Sequence, residues 1–392
     1  MIADAARRKR QRSVIIALII FCIAMNVAAY LSPRFSGWYM REIFPEISSV
    51  FARLTSLLPF SLGEVLIIIA LVGVPLSLIA LIVLLIAKRK SRDSRRKIGR
   101  VYAYIYAWIF VYIILTETLN CFVLYHTPTF AEMYDYPQDK YTPAQLEQLA
   151  DHLAAETNAL SEQVQRDKEG KFVLTADLDK TARSAVQGLA KDYPQLSGYY
   201  PRPKAVVNSF FMSQQYLMGI YFPFTMEANY NDEMYPLNLP DTVCHELAHT
   251  KGFIREDEAN FIGFLACYES GNVEYQYSGY IRALKYVISK CEDNCSEETV
   301  NRLYSSLAEG VRADWNGNVD YWQEVQESDK GLIDSKTVAE VSDKAMETSL
   351  KLNGVEDGKR SYGRMVDLLL DWYFMQQELS LIHISEPTRH LR

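Results

Sequence analysis

The chain has 392 residues, of which 49% are hydrophobic, and a formal net charge of −7. Its length exceeds what one domain commonly uses, and its long apolar runs exclude a purely water-soluble protein. Residues 1–125 carry 16 Lys and Arg against 6 Asp and Glu, whereas the remaining residues carry 25 against 42. This asymmetry predicts a membrane region at 1–125 and a separate, acidic region at 126–378.

Three apolar segments of the first region are long enough to cross a lipid bilayer, at about 14–31, 65–87 and 101–121. The first follows a basic N-terminus, and no convincing cleavage site comes after it, so we interpret it as a retained span and not as a signal peptide. Pro75 inside the second segment is tolerable in a membrane helix. The sequence therefore predicts three transmembrane helices.

The basic residues predict the orientation of these helices. Clusters at residues 7–12 and 88–100 are strongly positive, whereas the loop at 32–63 has few Lys and Arg. Positive loops stay in the cytoplasm, so three crossings place residues beyond about 126 outside it. We interpret 88–100 as this topology signal and not as a nucleic-acid site, because it lies between two spans.

The second region has the pattern of an α+β fold that is mostly helical. The stretch 204–231 is rich in Val, Phe, Tyr and Thr and predicts a hairpin, and Pro223 within 219–230 indicates an edge strand. Thr142 and Gln145 form a capping box at the start of the first helix. Helices are predicted at 142–166, 178–191, 274–290, 297–314, 319–327, 335–353 and 360–378.

The most informative motif is His-Glu-x-x-His, formed by His245, Glu246 and His249. On a helix the two histidines share one face and can bind one zinc ion, while Glu246 can act on a water bound to that ion. Pro240 and Gly252 have the residue types of a helix start and stop. The motif therefore predicts a Zn²⁺ site on a helix at about 240–251.

A catalytic zinc site usually has three protein ligands, and the nearby candidates for the third are Glu256 and Glu258. A second helix is predicted to start near 256, where Glu256 and Asn260 share one face at i,i+4. We favour Glu256 as the ligand, with the Asn260 amide orienting a ligand histidine, and Glu258 stays as the alternative.

The two helices resemble those of gluzincin metalloproteases, in which a Glu-x-x-x-Asp helix follows the His-Glu-x-x-His motif. Here Asn260 stands in place of the Asp, and the gap after His249 is short. With its membrane segments, residues 221–229 and residues 361–366, the chain up to about 378 also resembles an uncharacterised bacterial family of membrane-anchored zinc metallopeptidases. The resemblance implies a zincin-like domain at 126–378 and a peptide or protein substrate. Gluzincins steady the oxyanion with Tyr, His or Arg, which makes Tyr362 and Arg364 candidates.

These observations predict a multi-pass metallopeptidase of the bacterial cell membrane that hydrolyses peptide bonds outside the cytoplasm, with Glu246 activating a zinc-bound water. The alternative is a non-catalytic, membrane-tethered binding or sensory module with a structural zinc site. Such a site would be closed by a fourth ligand, for which Glu258 and Cys244 are the nearest candidates. A zinc hydrolase acting on a non-peptide bond is a further possibility.

Two features stand apart from the site. Cys291 and Cys295 are close enough in sequence to form a small disulfide, and the sequence does not decide whether they do. Residues 379–392 resemble the translation of a sequencing adapter, so we interpret them as an assembly artefact and exclude His383 and His390 from the site. No pattern indicates an oligomeric state.

Overall fold

The computed structural model describes residues 2–331, 333–352 and 363–385. The chain divides into two compact units. The first unit contains the residues up to Thr127 together with Phe222–Glu227, and the second contains Pro128–Tyr221 and the chain from Ala228 onwards. The predicted boundary at 125 and 126 lies close to the end of the first of these segments.

The first unit is helical. Three of its helical stretches are long and apolar enough to cross a membrane: Ala6–Leu31, Leu62–Ala87 and Arg92–Tyr125. They contain the three predicted segments, which supports membrane association. The α-helices of this unit are α1 (Ile2–Leu31), α2 (Pro33–Trp38), α3 (Phe44–Thr55), α4 (Leu62–Ala87), α5 (Arg92–Glu117) and α6 (Val123–Tyr125), with π-helical turns at Tyr39–Ile43 and Thr118–Phe122.

The start of α4 shows how a distant segment joins this unit. Ser61 caps the helix by accepting a hydrogen bond from the Glu64 N–H at 3.0 Å. The buried carboxylate of Glu227 accepts from the Leu62 N–H at 3.1 Å and from the Gly63 N–H at 2.8 Å. Helix N-termini leave these donors without a partner inside the helix, so the Glu227 carboxylate completes the start of α4.

The second unit is mostly helical and contains the His-Glu-x-x-His motif. Its short 3₁₀ segments are Leu189–Lys191, Pro194–Leu196 and Pro236–Asn238. Its α-helices are α7 (Phe130–Met133), α8 (Pro143–Ser161), α9 (Leu178–Gly188), α10 (Ser209–Gln214), α11 (Leu239–His249), α12 (Glu256–Glu269), α13 (Val273–Asn294), α14 (Glu297–Ser306), α15 (Glu309–Glu327), α16 (Ser335–Leu352) and α17 (Gly363–Ser385).

The sheet has three short strands, β1 (Lys204–Ala205), β2 (Gly219–Phe222) and β3 (Glu227–Tyr230), in the order β1-β3-β2. β1 runs parallel to β3, with Lys204 opposite Asn229. β2 is therefore an edge strand, and Pro223 follows it in the turn, where a missing N–H costs no ladder hydrogen bond. The predicted hairpin with an edge strand and the mostly helical α+β class are confirmed at this level.

The core of the second unit lies where α11, α12 and α13 pack together. α11 is buried from Pro240 to His249, and α12 is buried from Asp257 to Cys267. Gly263 allows the close approach of α12 to α11, since a Cβ there would lie 3.2 Å from the Asp241 carbonyl oxygen. Gly252 adopts φ 97° after α11, which is the turn that the sequence predicted there.

Some predicted helix boundaries are wrong. α8 ends at Ser161 and not near 166. Helices were predicted at 297–314 and 319–327, but the break lies earlier, at Leu307 and Ala308, whose backbones are extended. The following helix, α15, continues through Gly317. Gly317 lies against the Tyr235 ring, where a Cβ would come within 3.0 Å, so this glycine serves close packing and does not end the helix. The predicted boundaries between 353 and 360 lie outside the described residues.

Candidate metal centre

His245 and His249 direct the same ring nitrogen towards one point. Their Nε2 atoms are 3.0 Å apart, and the rings are nearly perpendicular, at 87°. The four-residue spacing on α11 places them on adjacent turns. The Nδ1–H of His249 donates to the Phe253 carbonyl at 2.7 Å, which leaves its Nε2 with a lone pair for a metal.

Glu256 joins the two histidines from the first turn of α12. Its Oε2 is 3.3 Å from His245 Nε2, and its Oε1 is 3.8 Å from His249 Nε2. In a tetrahedral zinc site with ligand bonds near 2.0–2.1 Å, ligand atoms stand roughly 3.3 Å apart. The three measured separations lie on both sides of this value, so these residues fit a zinc ion.

Glu246 lies beside this set and under strand β2. One carboxylate oxygen is 3.9 Å from His245 Nε2, and His245, Glu246 and His249 each offer a ligand-type atom within 4.8 Å of the others. A Cβ added at Gly219 of β2 would overlap the Glu246 carboxylate. The pKa of Glu246 is raised to about 8. Burial is the largest cause, the negative charge of Glu256 adds to the rise, and the charge of His245 opposes it.

The charges of Glu256 and His249 favour metal binding, whereas the raised pKa of His245 means that a metal would have to displace its proton. Burial raises the pKa of Glu256, but its hydrogen bond and charge interaction with His245 prevail and bring that pKa to about 2. Burial and the neighbouring His245 lower the pKa of His249 to about 4. Burial also lowers the pKa of His245, but Glu256 outweighs this effect and raises it overall. An ionised carboxylate and a neutral imidazole are the forms that bind zinc.

Two alternative ligands lie elsewhere. The Glu258 Oε1 accepts from the Phe130 N–H at 2.9 Å and pairs with Arg255 at 3.0 Å. Cys244 is buried on the other side of α11, where its thiol faces Cys267 of α12. The structure therefore brings Glu256, and neither Glu258 nor Cys244, to the histidines. All six cysteines are free thiols, including Cys291 and Cys295.

The other residues named from the sequence have different positions. Asn260 is buried on α12, and neither atom of its side-chain amide makes a hydrogen bond within the described part of the chain. The Arg364 Nε donates to Asp257 at 2.9 Å, and both residues line a cavity of about 760 Å³ whose described lining does not include the histidines. Tyr362 lies outside the described residues.

Sequence reasoning missed three neighbours of the site. The Tyr221 ring of β2 is 5.9 Å from the His249 ring, and Gly219 faces Glu246. Arg282 of α13 has a charge that lowers the pKa of both His245 and Glu246. Gly219 and Tyr221 are two apart on a predicted strand, so they share a face. Arg282 is far along the chain, and no local pattern points to it.

Comparison with known proteins gives one result. The model of a family described as "Protein of unknown function (DUF3810)" matches residues 39–370, a range that includes the second and third apolar helices and the candidate metal centre. No curated protein and no solved structure matches the chain.

Proposed function

We propose that this chain, which belongs to the DUF3810 family, is a membrane-anchored, zinc-dependent metallopeptidase. The observation that carries the proposal is the convergence of His245 Nε2, His249 Nε2 and the Glu256 carboxylate, with separations of 3.0, 3.3 and 3.8 Å. Glu246 lies directly beside them. Three protein ligands with a carboxylate base alongside is the arrangement of catalytic zinc sites.

In this proposal, His245, His249 and Glu256 hold the zinc ion. When bound, the ion supplies Lewis-acid catalysis, because it polarises the scissile carbonyl and lowers the pKa of the attacking water. The Glu256 side chain is 30% exposed, against 9% and 7% for the two histidines. A substrate would therefore approach from the Glu256 side.

Glu246 is the proton carrier in the proposed reaction. It accepts a proton from the attacking water as the new C–O bond forms, and it delivers that proton to the amine nitrogen as the C–N bond breaks. No covalent bond to the protein is needed.

Strand β2 is the proposed support for the substrate backbone. It is at the edge of the sheet, and Gly219 at its start faces Glu246. An extended peptide that pairs with an edge strand gains main-chain hydrogen bonds, and its carbonyls are then held at fixed points along the strand. The absence of a side chain at Gly219 leaves room for Glu246 beside that strand.

We place the metal centre outside the cytoplasm. The support is the charge pattern around the three apolar helices: positive clusters at 7–12 and 88–100, and few positive residues at 32–63. Three crossings from a cytoplasmic N-terminus lead to the opposite side. The proposed substrate is therefore an extracytoplasmic peptide or protein.

A non-catalytic structural zinc site is the main competing function. It would need a fourth protein ligand, and the sequence offered Glu258 and Cys244 for this role. The hydrogen bonds of Glu258 to Phe130 and Arg255, and the position of Cys244 against Cys267, both favour the catalytic function.

The test is metal-dependent cleavage by the full-length protein in detergent, with a broad library of peptides. We expect cleavage to stop after zinc is removed with a chelator and to return when zinc is added back. Cleavage that is unaffected by complete zinc removal would contradict the proposal. Zinc binding with no cleavage of any peptide would favour the structural site.

A further inference from the structure

Three neighbouring buried residues have side-chain polar atoms that make no hydrogen bond within the described part of the chain. The atoms are Nδ1 of His245, both amide atoms of Asn260 and both carboxylate oxygens of Asp241. Asp241 and Asn260 are each 1% exposed. Buried polar groups are nearly always hydrogen-bonded, so this cluster requires an explanation.

The three residues lie around one contact between α11 and α12. Asp241 is one helical turn before His245, and side chains on a helix lean towards the preceding turn, so the His245 ring lies over Asp241. A Cβ at Gly263 would be 3.1 Å from Asp241 Oδ1 and 3.4 Å from the His245 backbone nitrogen. Gly263 is three residues after Asn260 and thus on the same side of α12.

The unsatisfied atoms complement one another. Once Nε2 of His245 binds a metal, its Nδ1 carries the proton and is a donor. Asn260 offers one acceptor, Oδ1, and one donor group, Nδ2, while Asp241 offers only acceptors. The chain His245 to Asn260 to Asp241 therefore pairs each donor with an acceptor.

Arg282 places a positive charge beside the buried Asp241 carboxylate and opposes the rise in its pKa that burial causes. Its Nε lies 3.3 Å from Asp241 Oδ2. The Arg282 Nη1 is directed to the Met218 sulfur at 2.9 Å, and Nη2 to the Tyr286 hydroxyl at 3.4 Å, which fix the guanidinium. A buried carboxylate requires a partner of this kind. The Asp241 N–H also donates to Ser278 of α13 at 3.2 Å, which holds α11 against the helix that carries Arg282.

We propose that the buried ion pair of Asp241 and Arg282 positions the metal ligand His245 through the Asn260 amide. With a metal on His245 Nε2, Asn260 Oδ1 would accept from His245 Nδ1–H, and Asn260 Nδ2 would donate to the Asp241 carboxylate; neither hydrogen bond is present in the structure itself. This arrangement fixes the His245 tautomer and makes its Nε2 a stronger ligand. Asp241 and Arg282 are positioning residues, and the inference rests on the metal-binding part of the proposed function.

The test is the zinc dissociation constant of full-length variants, measured by competition with a fluorescent chelator. Asp241→Asn keeps the size of the side chain but removes its charge, and we expect zinc to bind roughly 10- to 100-fold more weakly. Asp314→Asn is the matched control, since Asp314 is also a fully buried carboxylate paired with an arginine, Arg166, at 2.9 Å. We expect the control to bind zinc as the wild type does.

A second readout separates positioning from general damage. We expect the visible absorption spectrum of the cobalt-substituted protein to shift in Asp241→Asn and to stay unchanged in Asp314→Asn, because only the first alters the geometry at His245. Adding Asn260→Asp to Asp241→Asn puts a carboxylate next to His245 again. We expect this double variant to regain most of the lost zinc affinity.

Wild-type zinc affinity together with an unchanged cobalt spectrum in Asp241→Asn would overturn the inference. If that variant does not fold, Asn260→Leu replaces it, and wild-type affinity in Asn260→Leu would overturn the inference equally. A wild-type protein that binds no zinc would instead defeat the proposed function. The two failures are therefore distinguishable.

Discussion

Glu256 and Glu258 are two residues apart at the start of α12, yet their carboxylates have different partners. Glu256 faces both histidines, whereas Glu258 accepts from Phe130 and pairs with Arg255. On a helix, two positions apart means opposite faces. One residue therefore belongs to the candidate metal centre, and the other holds the α7 segment against α12.

Substitution of each glutamate by glutamine separates these roles. We expect Glu256→Gln to weaken zinc binding at least 10-fold. We expect Glu258→Gln to keep zinc affinity but lower the free energy of unfolding by about 1–3 kcal/mol, since a buried charge-assisted hydrogen bond is weakened. Zinc titration and thermal unfolding of both variants are the measurements. Reversed effects would assign the third ligand to Glu258.

Gly219 is a second residue of interest, because its surroundings leave no room for a side chain. A Cβ at this position would overlap the Glu246 carboxylate, so we expect Gly219→Ala to displace either β2 or the base. A displacement of about 1 Å can cost on the order of 100-fold in rate. We expect kcat to fall by this order, while zinc content is unchanged.

Gly188→Ala is the control for Gly219→Ala. No atom lies within 4 Å of a Cβ there, and Gly188 has helical φ and ψ at the end of α9. We expect wild-type activity and a gain in stability of up to about 1 kcal/mol. Wild-type kcat in Gly219→Ala would show that β2 does not constrain Glu246.

The roles of individual residues were predictable only where residues close in the sequence determine them. The spacing of His245 and His249 follows from one helix, and the sequence named both. The choice between Glu256 and Glu258 depends on the angle at which α12 leaves the Gly252 turn, which no spacing encodes. Asp241 lies in the first turn of α11, and its link to Arg282 depends on the packing of α11 on α13, which no local pattern encodes.

At the scale of elements, α8, α13 and α17 meet around His152. The half-buried His152 ring of α8 is 5.0 Å from the Tyr373 ring of α17 and 6.4 Å from the Tyr280 ring of α13. Burial lowers the pKa of His152 from 6.5, although Glu156 opposes this effect. The folded protein therefore favours the neutral imidazole.

This environment predicts a dependence of stability on pH. Below about pH 6.5 the unfolded chain binds a proton at His152 that the folded protein resists, so the free energy of unfolding falls as the pH falls. We expect His152→Phe, which keeps a ring in place, to lose part of the acid destabilisation between pH 7 and pH 5. Thermal midpoints of both proteins across this range are the measurement. Identical pH profiles would contradict the lowered pKa.

Helix existence was easier to predict than helix ends. The capping box of Thr142 and Gln145 and the Gly252 turn are local signals, and both are present in the structure. Neither residue at the break, Leu307 or Ala308, is a glycine or a proline, so residue type does not predict it. Gly317 lies between two predicted helices, yet α15 continues through it and packs it against Tyr235.

At the scale of the whole molecule, the proposed orientation of the three apolar helices in a membrane can be tested with cysteines. Five of the six cysteines are buried, and Cys295, just after α13, is partly exposed. We expect a membrane-impermeant maleimide to label Cys295 in intact cells, and Cys295→Ser to abolish the labelling. We expect Ser94→Cys, in the basic segment at 88–100, to react only after the cells are permeabilised. The opposite pattern would place the metal centre in the cytoplasm.

The three apolar helices were readable from composition, because a membrane span requires a long apolar run. The grouping of Phe222–Glu227 with these helices was not readable. It depends on hydrogen bonds between Glu227 and the start of α4. Glu227 and Leu62, for example, are 165 positions apart in the sequence. Contacts at such separations leave no periodic pattern in the sequence.

The most direct test of the proposed metallopeptidase compares the full-length wild type with Glu246→Gln for zinc content and for cleavage of a peptide library. We expect one zinc ion per chain in both proteins, and a loss of cleavage of about 10²- to 10⁴-fold in the variant, because glutamine cannot carry the proton. Equal cleavage by the two proteins, or a wild type that holds no zinc, would contradict the proposed mechanism.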